Sequence, residues 1–122
     1  ATPQQPALSL MLARLLADRG DMEGALAALK AASATAAGNA DFLGFYAAIL
    51  QRAERHAEAV ELFTAALRVS PGNSVWWMGL GISLSAVNQN AQAREAFTRA
   101  KMIGALPPEA VQYVDGRLRQ LM

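Results

Sequence analysis

The sequence contains no cysteine, one histidine, and aromatic residues at only 7% of its 122 positions. Without cysteine the chain can form neither a disulfide nor a thiolate metal site. Its 11 basic and 10 acidic residues are interspersed, so there is no basic stripe of the kind that nucleic-acid binding requires. The best candidate for a membrane span, residues 7–17, is too short and is interrupted by Arg14. We therefore expect no nucleic-acid partner, and membrane attachment only through a segment upstream of residue 1.

Alanine supplies much of the 53% hydrophobic content. Alanine has the best helix propensity and lets backbones approach closely, so this composition predicts thin, closely packed helices. The length is that of one domain with a modest core. The opening run ATPQQP predicts that residues 1–5 are the tail of a linker, in a chain that is the C-terminal part of something longer.

Three segments of 34 residues follow one another without a gap, at 6–39, 40–73 and 74–107. Small and large residues recur at the same places in each. They are Ala13, Ala47 and Gly81; Ala25, Ala59 and Ala93; Leu29, Phe63 and Phe97; and Ala32, Ala66 and Ala100. This register resembles that of the tetratricopeptide repeat (TPR), a 34-residue helix–turn–helix unit. The resemblance implies an all-α fold, a right-handed α-α superhelix of three repeats.

Local signals mark the helix boundaries. Asn39 and Asn73 each follow a glycine and suit the N-cap of the next helix. Pro108 and Glu109 suit the first turn of a seventh helix, so residues 108–122 are predicted to be a capping helix that covers the last repeat. The predicted helices are 8–20, 22–36, 40–53, 56–69, 74–87, 90–103 and 109–121.

Candidate catalytic groups are few. His56 lies in a polar turn near Glu54 and Glu58, which predicts a solvated turn histidine, and no serine is arranged with a histidine and a carboxylate in a recognisable motif. The stretch 79–81, Gly-Leu-Gly, is mid-helix and lacks the context of a phosphate loop. Gly81 is instead predicted to permit close helix contact. We therefore expect no enzyme activity, no cofactor and no metal.

The neighbouring tryptophans are predicted to differ. Trp77 occupies the packing position of the repeat and should belong to the core. Trp76 lies about 100° further round the helix, so it is either an exposed anchor for a partner or half-buried between repeats.

The TPR resemblance also implies a binding groove on the concave face made by the first helices. The residues predicted to line it are Leu10, Arg14, Gly44, Ala48, Gln51, Arg52, Val75, Trp76, Met78 and Ile82. TPRs that grip the acidic C-termini of chaperones carry Lys and Asn at several such sites, where this chain has Leu10, Phe45 and Gly79. The predicted ligand is therefore a protein or peptide segment with apolar side chains and one carboxylate. Alternatively, the chain's own termini or a second copy fill the groove.

A more particular resemblance lies in residues 41–122. The phrase WWMGLG at 76–81 and the phrase QYV-x-x-RL at 112–118 are similar to the C-terminal TPR region of MshN-type proteins, which serve biogenesis of the mannose-sensitive haemagglutinin (MSHA) type IV pilus. This resemblance implies a non-enzymatic scaffold for pilus assembly at the periplasmic face of a bacterial inner membrane. The alternative is a self-associating module, a dimer or helix-swapped oligomer, of another envelope or cytoplasmic complex.

Overall fold

The computed structural model describes residues 6–121. The described chain is all helical and contains no strand, so the predicted all-α class is confirmed for it. The helices are α1 Pro6–Asp18, α2 Met22–Ala32, α3 Ala40–Arg52, α4 His56–Val69, α5 Ser74–Ala86, α6 Asn90–Ile103 and α7 Pro108–Leu121. The linker predicted at residues 1–5 lies outside the described residues.

The helices form three antiparallel hairpins that stack in chain order. Helix α1 packs on α2, α3 on α4, and α5 on α6, while α3 also contacts α1 and α2, and α4 contacts α5. All of the small and large residues that recur at the 34-residue period are buried. The alanines and Gly81 let each pair of helices approach closely, and the larger residues fill the space between them.

The capping side chains act as the sequence predicts. Asn39 Oδ1 accepts a hydrogen bond from the Phe42 N–H at 3.0 Å, and Asn73 Oδ1 accepts one from the Trp76 N–H at 3.0 Å. Each bond satisfies one of the backbone donors left free at a helix N-terminus. These caps fix where α3 and α5 begin, and therefore which faces the two helices turn toward each other.

The second helix ends earlier than predicted. Helix α2 stops at Ala32, and a 3₁₀ turn at Ser33–Thr35 follows where the prediction continued to residue 36. Ser33 Oγ donates to the Lys30 carbonyl at 2.8 Å, and Thr35 Oγ1 donates to the Ala32 carbonyl at 3.0 Å. Hydroxyl side chains that bond nearby carbonyls compete with α-helical pairing, which accounts for the tighter turn.

Helix α7 packs on α6 at the end of the stack. Val114 is fully buried against the core. Lys101 Nζ lies 2.9 Å from Asp115 Oδ1, and the Arg117 guanidinium donates to Ser85 Oγ. These contacts attach the cap to both helices of the third hairpin.

Candidate functional site

A cavity of about 460 Å³ lies between the first helices of the three hairpins. Helices α1, α3 and α5 contribute most of its lining, and α4 contributes Phe63. The structure brings nine of the ten predicted groove residues together there: Leu10, Arg14, Gly44, Ala48, Gln51, Val75, Trp76, Met78 and Ile82. Asp41, Phe45 and Gly79 complete the lining. The cavity is thus mainly apolar, with charged groups from α1 and α3.

Arg52 differs from the prediction. It is the last residue of α3, its side chain is exposed, and it is not among the residues that line the cavity. The cavity lining on α3 ends at Gln51, one residue earlier. The TPR resemblance placed Arg52 in the groove with Ala48, four residues earlier, but α3 ends at Arg52 and the residue is exposed.

Glycines allow aromatic rings to form the cavity floor. A Cβ at Gly44 would lie 2.3 Å from Trp76 Cε2, and a Cβ at Gly79 would lie 2.5 Å from Phe63 Cζ. Trp76 is therefore half-buried between repeats, which decides between the two predicted alternatives, although the indole still lines the cavity. Phe63 was predicted only as a core residue, and it reaches the cavity because Gly79 has no side chain.

Trp77 is not a core residue, contrary to the prediction. It is half-buried and packs against the core from its surface. Its Nε1–H donates to the Pro71 carbonyl at 2.8 Å, and the Arg99 guanidinium lies over the ring with Cζ 5.2 Å from the centroid. An indole has a polar N–H that needs a partner, and the turn before α5 supplies one at the surface.

Arg14 supplies the cationic group of the cavity. Its Cζ lies 5.3 Å from the centroid of the Phe45 ring, a distance at which a guanidinium is attracted to an aromatic face. This contact holds an exposed guanidinium beside apolar walls. Guanidinium groups bind carboxylates with paired hydrogen bonds, so Arg14 can orient a ligand that carries one. Asp41 places a negative charge on the same lining.

His56 is not a solvated turn histidine, contrary to the prediction. Its side chain is only 19% exposed. Its Nδ1 lies 3.1 Å from Ser83 Oγ, and its Nε2 lies 2.8 Å from Glu54 Oε2. Gln51 Nε2 donates to the same serine oxygen at 2.8 Å and to the Gly79 carbonyl at 2.9 Å. Sequence reasoning missed this network because its partners are 27 and 32 residues apart.

The glutamate, histidine and serine have the connectivity of a hydrolytic triad, but the serine is inaccessible. Ser83 is fully buried, so a substrate cannot reach its oxygen. That oxygen also accepts the Gln51 hydrogen bond. A catalytic serine must be open to its substrate beside an oxyanion site. The network is therefore a structural link between α3, the start of α4, and α5.

Another cavity, of about 880 Å³, lies along α6 beside Trp77 and Pro71. Its arginines are already engaged within the chain. Arg99 contacts Glu95 at 3.5 Å as well as the indole, and Arg94 donates to the Leu121 carbonyl at 3.2 Å. The concave cavity has apolar walls from all three hairpins, and for that reason it is the stronger candidate site.

Within residues 6–121, no group of three or more His, Asp and Glu side chains is placed to hold a metal ion. None of the described helices combines the length and the apolar character needed to cross a membrane.

Comparisons with known proteins agree with this architecture. A family model described as tetratricopeptide repeat matches residues 50–114. A comparison with curated proteins found no match.

Solved structures with the same fold match nearly the whole chain. The Yersinia enterocolitica type III secretion chaperone SycD, in complex with a peptide of the translocator YopD, has a TM-score of 0.85 at 16% identity, over 94% of this chain and 90% of that one. The first TPR of Spaghetti (RPAP3), bound to the HSP90 peptide SRMEEVD, has a TM-score of 0.86 at 14% identity, over 97% and 94%. The Arabidopsis OM64 TPR domain has a TM-score of 0.86 at 15% identity, over 100% of both chains. Similarity at this level of identity shows a shared fold.

Proposed function

The chain belongs to the tetratricopeptide repeat family, and on that premise we propose that it is a non-enzymatic scaffold that holds a segment of another protein in its concave cavity. The observation that carries this proposal is the cavity itself, in which apolar side chains from three hairpins lie beside the cationic group of Arg14. A binding site of this kind recognises a ligand mainly by burying apolar groups, while a few polar groups fix its orientation.

The lining indicates which segments fit. Trp76, Met78 and Ile82 offer a wide aromatic surface, a flexible thioether and a branched aliphatic group, which suit an apolar anchor. Arg14 suits one carboxylate near that anchor. The expected ligand is an extended or helical segment with apolar side chains and a single acidic residue.

Two of the similar structures hold peptides, from YopD and from HSP90. The HSP90 peptide, SRMEEVD, is strongly acidic. At positions where the resemblance to chaperone-binding TPRs calls for Lys and Asn, this chain has Leu10, Phe45 and Gly79, and all three line the cavity. These residues favour an apolar segment over an acidic tail.

A peptide array tests the proposal. Peptides that combine apolar anchors with one glutamate should bind the purified chain, and SRMEEVD should not. The variant Met78→Glu places a carboxylate inside the apolar cavity and should weaken binding at least tenfold. Arg52→Glu is the matched control, because it introduces the same residue at an exposed position outside the lining. If no peptide of this class binds, or if both variants bind as the parent does, the proposed site is wrong.

We further propose that the scaffold serves assembly of an MSHA-like type IV pilus or a related envelope machine, at the periplasmic face of the bacterial inner membrane. The support is the resemblance of 76–81 and 112–118 to MshN-type proteins; these segments lie in α5 and α7. The alternative location is the cytoplasm. In a bacterium that encodes this chain, Met78→Glu should reduce surface pili while Arg52→Glu leaves them unchanged. Protease added to spheroplasts should digest the domain if it is periplasmic.

A further inference from the structure

Helix α1 carries an exposed apolar stripe. Leu8, Met11, Leu12 and Leu15 are each 50–63% exposed. Their spacing of three, one and three residues places them on a single helix face. The stripe lies apart from Ser9 and its buried neighbours, which face the hairpin, and apart from the side of α1 that lines the concave cavity.

The equivalent positions are buried or half-buried in the next repeat. Thirty-four residues after Leu8 and Leu15 stand Phe42 and Ile49, which are buried in the core on α3, the helix that contacts α1 and α2. The equivalents of Met11 and Leu12 are Phe45 and Tyr46, which are half-buried, and Phe45 also lines the concave cavity. The stripe is therefore more exposed than the same positions of the repeat that follows it. In the part of the chain that the structure describes, no helix covers it.

We propose that a second copy of this chain covers the stripe, with the two α1 helices packed antiparallel about a two-fold axis. The stripe is symmetrical about its midpoint, between Met11 and Leu12. Two-fold pairing therefore brings Leu8 of one copy against Leu15 of the other, while the two copies of Leu12 meet on one side of the contact and the two copies of Met11 on the other. A contact between two copies of one surface must be self-complementary in this way.

Three further features select a second copy as the occupant. The stripe contains no charged side chain, so two copies meet without like-charge repulsion. In the described chain, helix α7 already packs on α6, the helix on which a following repeat would stack. Contact through α1 therefore favours a closed pair over an open chain of copies. The buried surface, estimated from eight half-exposed side chains and the adjoining helix backbones, is roughly 1,000 Å², near the lower limit for specific association. The dimer is therefore weak and concentration-dependent.

Sedimentation velocity over a concentration series tests this proposal. The intact chain should convert from monomer to dimer with a Kd of roughly 10 µM to 1 mM. Leu12→Glu should raise the Kd at least tenfold, because it brings two carboxylates to the centre of the contact. Met102→Glu is the matched control, since Met102 is 80% exposed on α6, and it should leave the Kd unchanged. A monomer at every concentration, or an equal effect of both variants, would overturn the proposal.

Disulfide crosslinking tests the antiparallel geometry, because the chain has no cysteine of its own. Leu12→Cys lies beside the axis and should crosslink to itself. Leu8→Cys should not, because the two copies of residue 8 would be about 10 Å apart along the helix axis, too far for a disulfide. Mixing Leu8→Cys with Leu15→Cys should give a heterodimeric crosslink. Self-crosslinking of Leu8→Cys would indicate parallel helices and overturn the arrangement.

Dimerisation through the stripe and peptide binding in the concave cavity are independent of each other. The stripe and the concave cavity use different faces of α1, so Met78→Glu should lose peptide binding and still dimerise. Leu12→Glu should lose dimerisation and still bind peptide. If a helix of another protein covers the stripe instead, the purified chain remains a monomer, and that result counts against the second copy.

Discussion

The indole of Trp76 lies directly on the backbone of Gly44, so that a Cβ on the glycine would stand 2.3 Å from Cε2 of the ring. This contact joins α3 to α5 and forms part of the concave cavity floor. The position of the ring, and with it the shape of the site, depends on the missing side chain.

Replacing Gly44 with alanine should therefore destabilise the protein, although alanine is the better helix former. The new methyl group would displace the indole, and overpacking of this kind costs about 1–3 kcal/mol, which exceeds the gain of about 1 kcal/mol in helix propensity. Urea unfolding of the variant and the parent measures the difference in their free energies of unfolding. In the control Gly116→Ala the nearest side-chain atom is 3.8 Å away, so that variant should be more stable than the parent by about 0.5–1 kcal/mol. Stabilisation by both substitutions would show that the indole moves without cost.

Gly81 makes the corresponding contact within the third hairpin. A Cβ there would lie 2.8 Å from Phe97 Cε1, so Gly81→Leu should overfill the space between α5 and α6. We expect a loss of about 1–3 kcal/mol or more, visible as a lower melting temperature. Ala86→Leu, at an exposed position on the same helix, should leave the melting temperature nearly unchanged. An unchanged melting temperature for Gly81→Leu would contradict the packing.

The helices and their packing residues could be predicted because the relevant signals are local or periodic. Asn39 and Asn73 cap the helices that follow them within three residues. The 34-residue period places Gly81 on α5 and Ala93 on α6, on the faces where the two helices of the third hairpin meet. This placement follows from the spacing and does not depend on which side chains surround the two residues. Patterns of this kind are visible in a single sequence.

The polar network and the aromatic contacts could not be predicted in the same way. Ser83 and His56 are 27 residues apart and meet only when the second and third hairpins stack. Trp77 stands at a packing position, but its N–H bonds the Pro71 carbonyl at the surface and leaves the ring half-buried. Such outcomes depend on which polar partners the tertiary structure brings within reach.

Ser83→Ala should destabilise the stack of hairpins. It leaves His56 Nδ1 without its serine partner and Gln51 Nε2 with only the Gly79 carbonyl. Loss of a partner from a buried polar group costs about 1–3 kcal/mol. A double-mutant cycle with Gln51→Leu checks the link, since residues in one network should not contribute additively to unfolding. Strict additivity would show that the two side chains act independently.

The stability of the protein should fall in alkaline solution because of Tyr46. Burial raises the pKa of its phenol above the ordinary 10.0, the carboxylate of Glu58 adds to the rise, and Arg55 opposes it. The folded state therefore holds the phenolic proton more tightly than the unfolded state does. This contribution is fully present below the unfolded pKa and is lost as the pH rises through the folded pKa.

Urea unfolding from about pH 8 to about pH 11 should show a decline in the free energy of unfolding that begins near the ordinary tyrosine pKa of about 10. Tyr46→Phe preserves the edge-to-face contact with Phe42, whose ring centroid lies 6.1 Å away, and should reduce the decline. Tyr113→Phe, at an exposed position on α7, should show the same alkaline decline in stability as the parent. An equal decline in all three proteins would assign the alkaline loss to groups other than Tyr46.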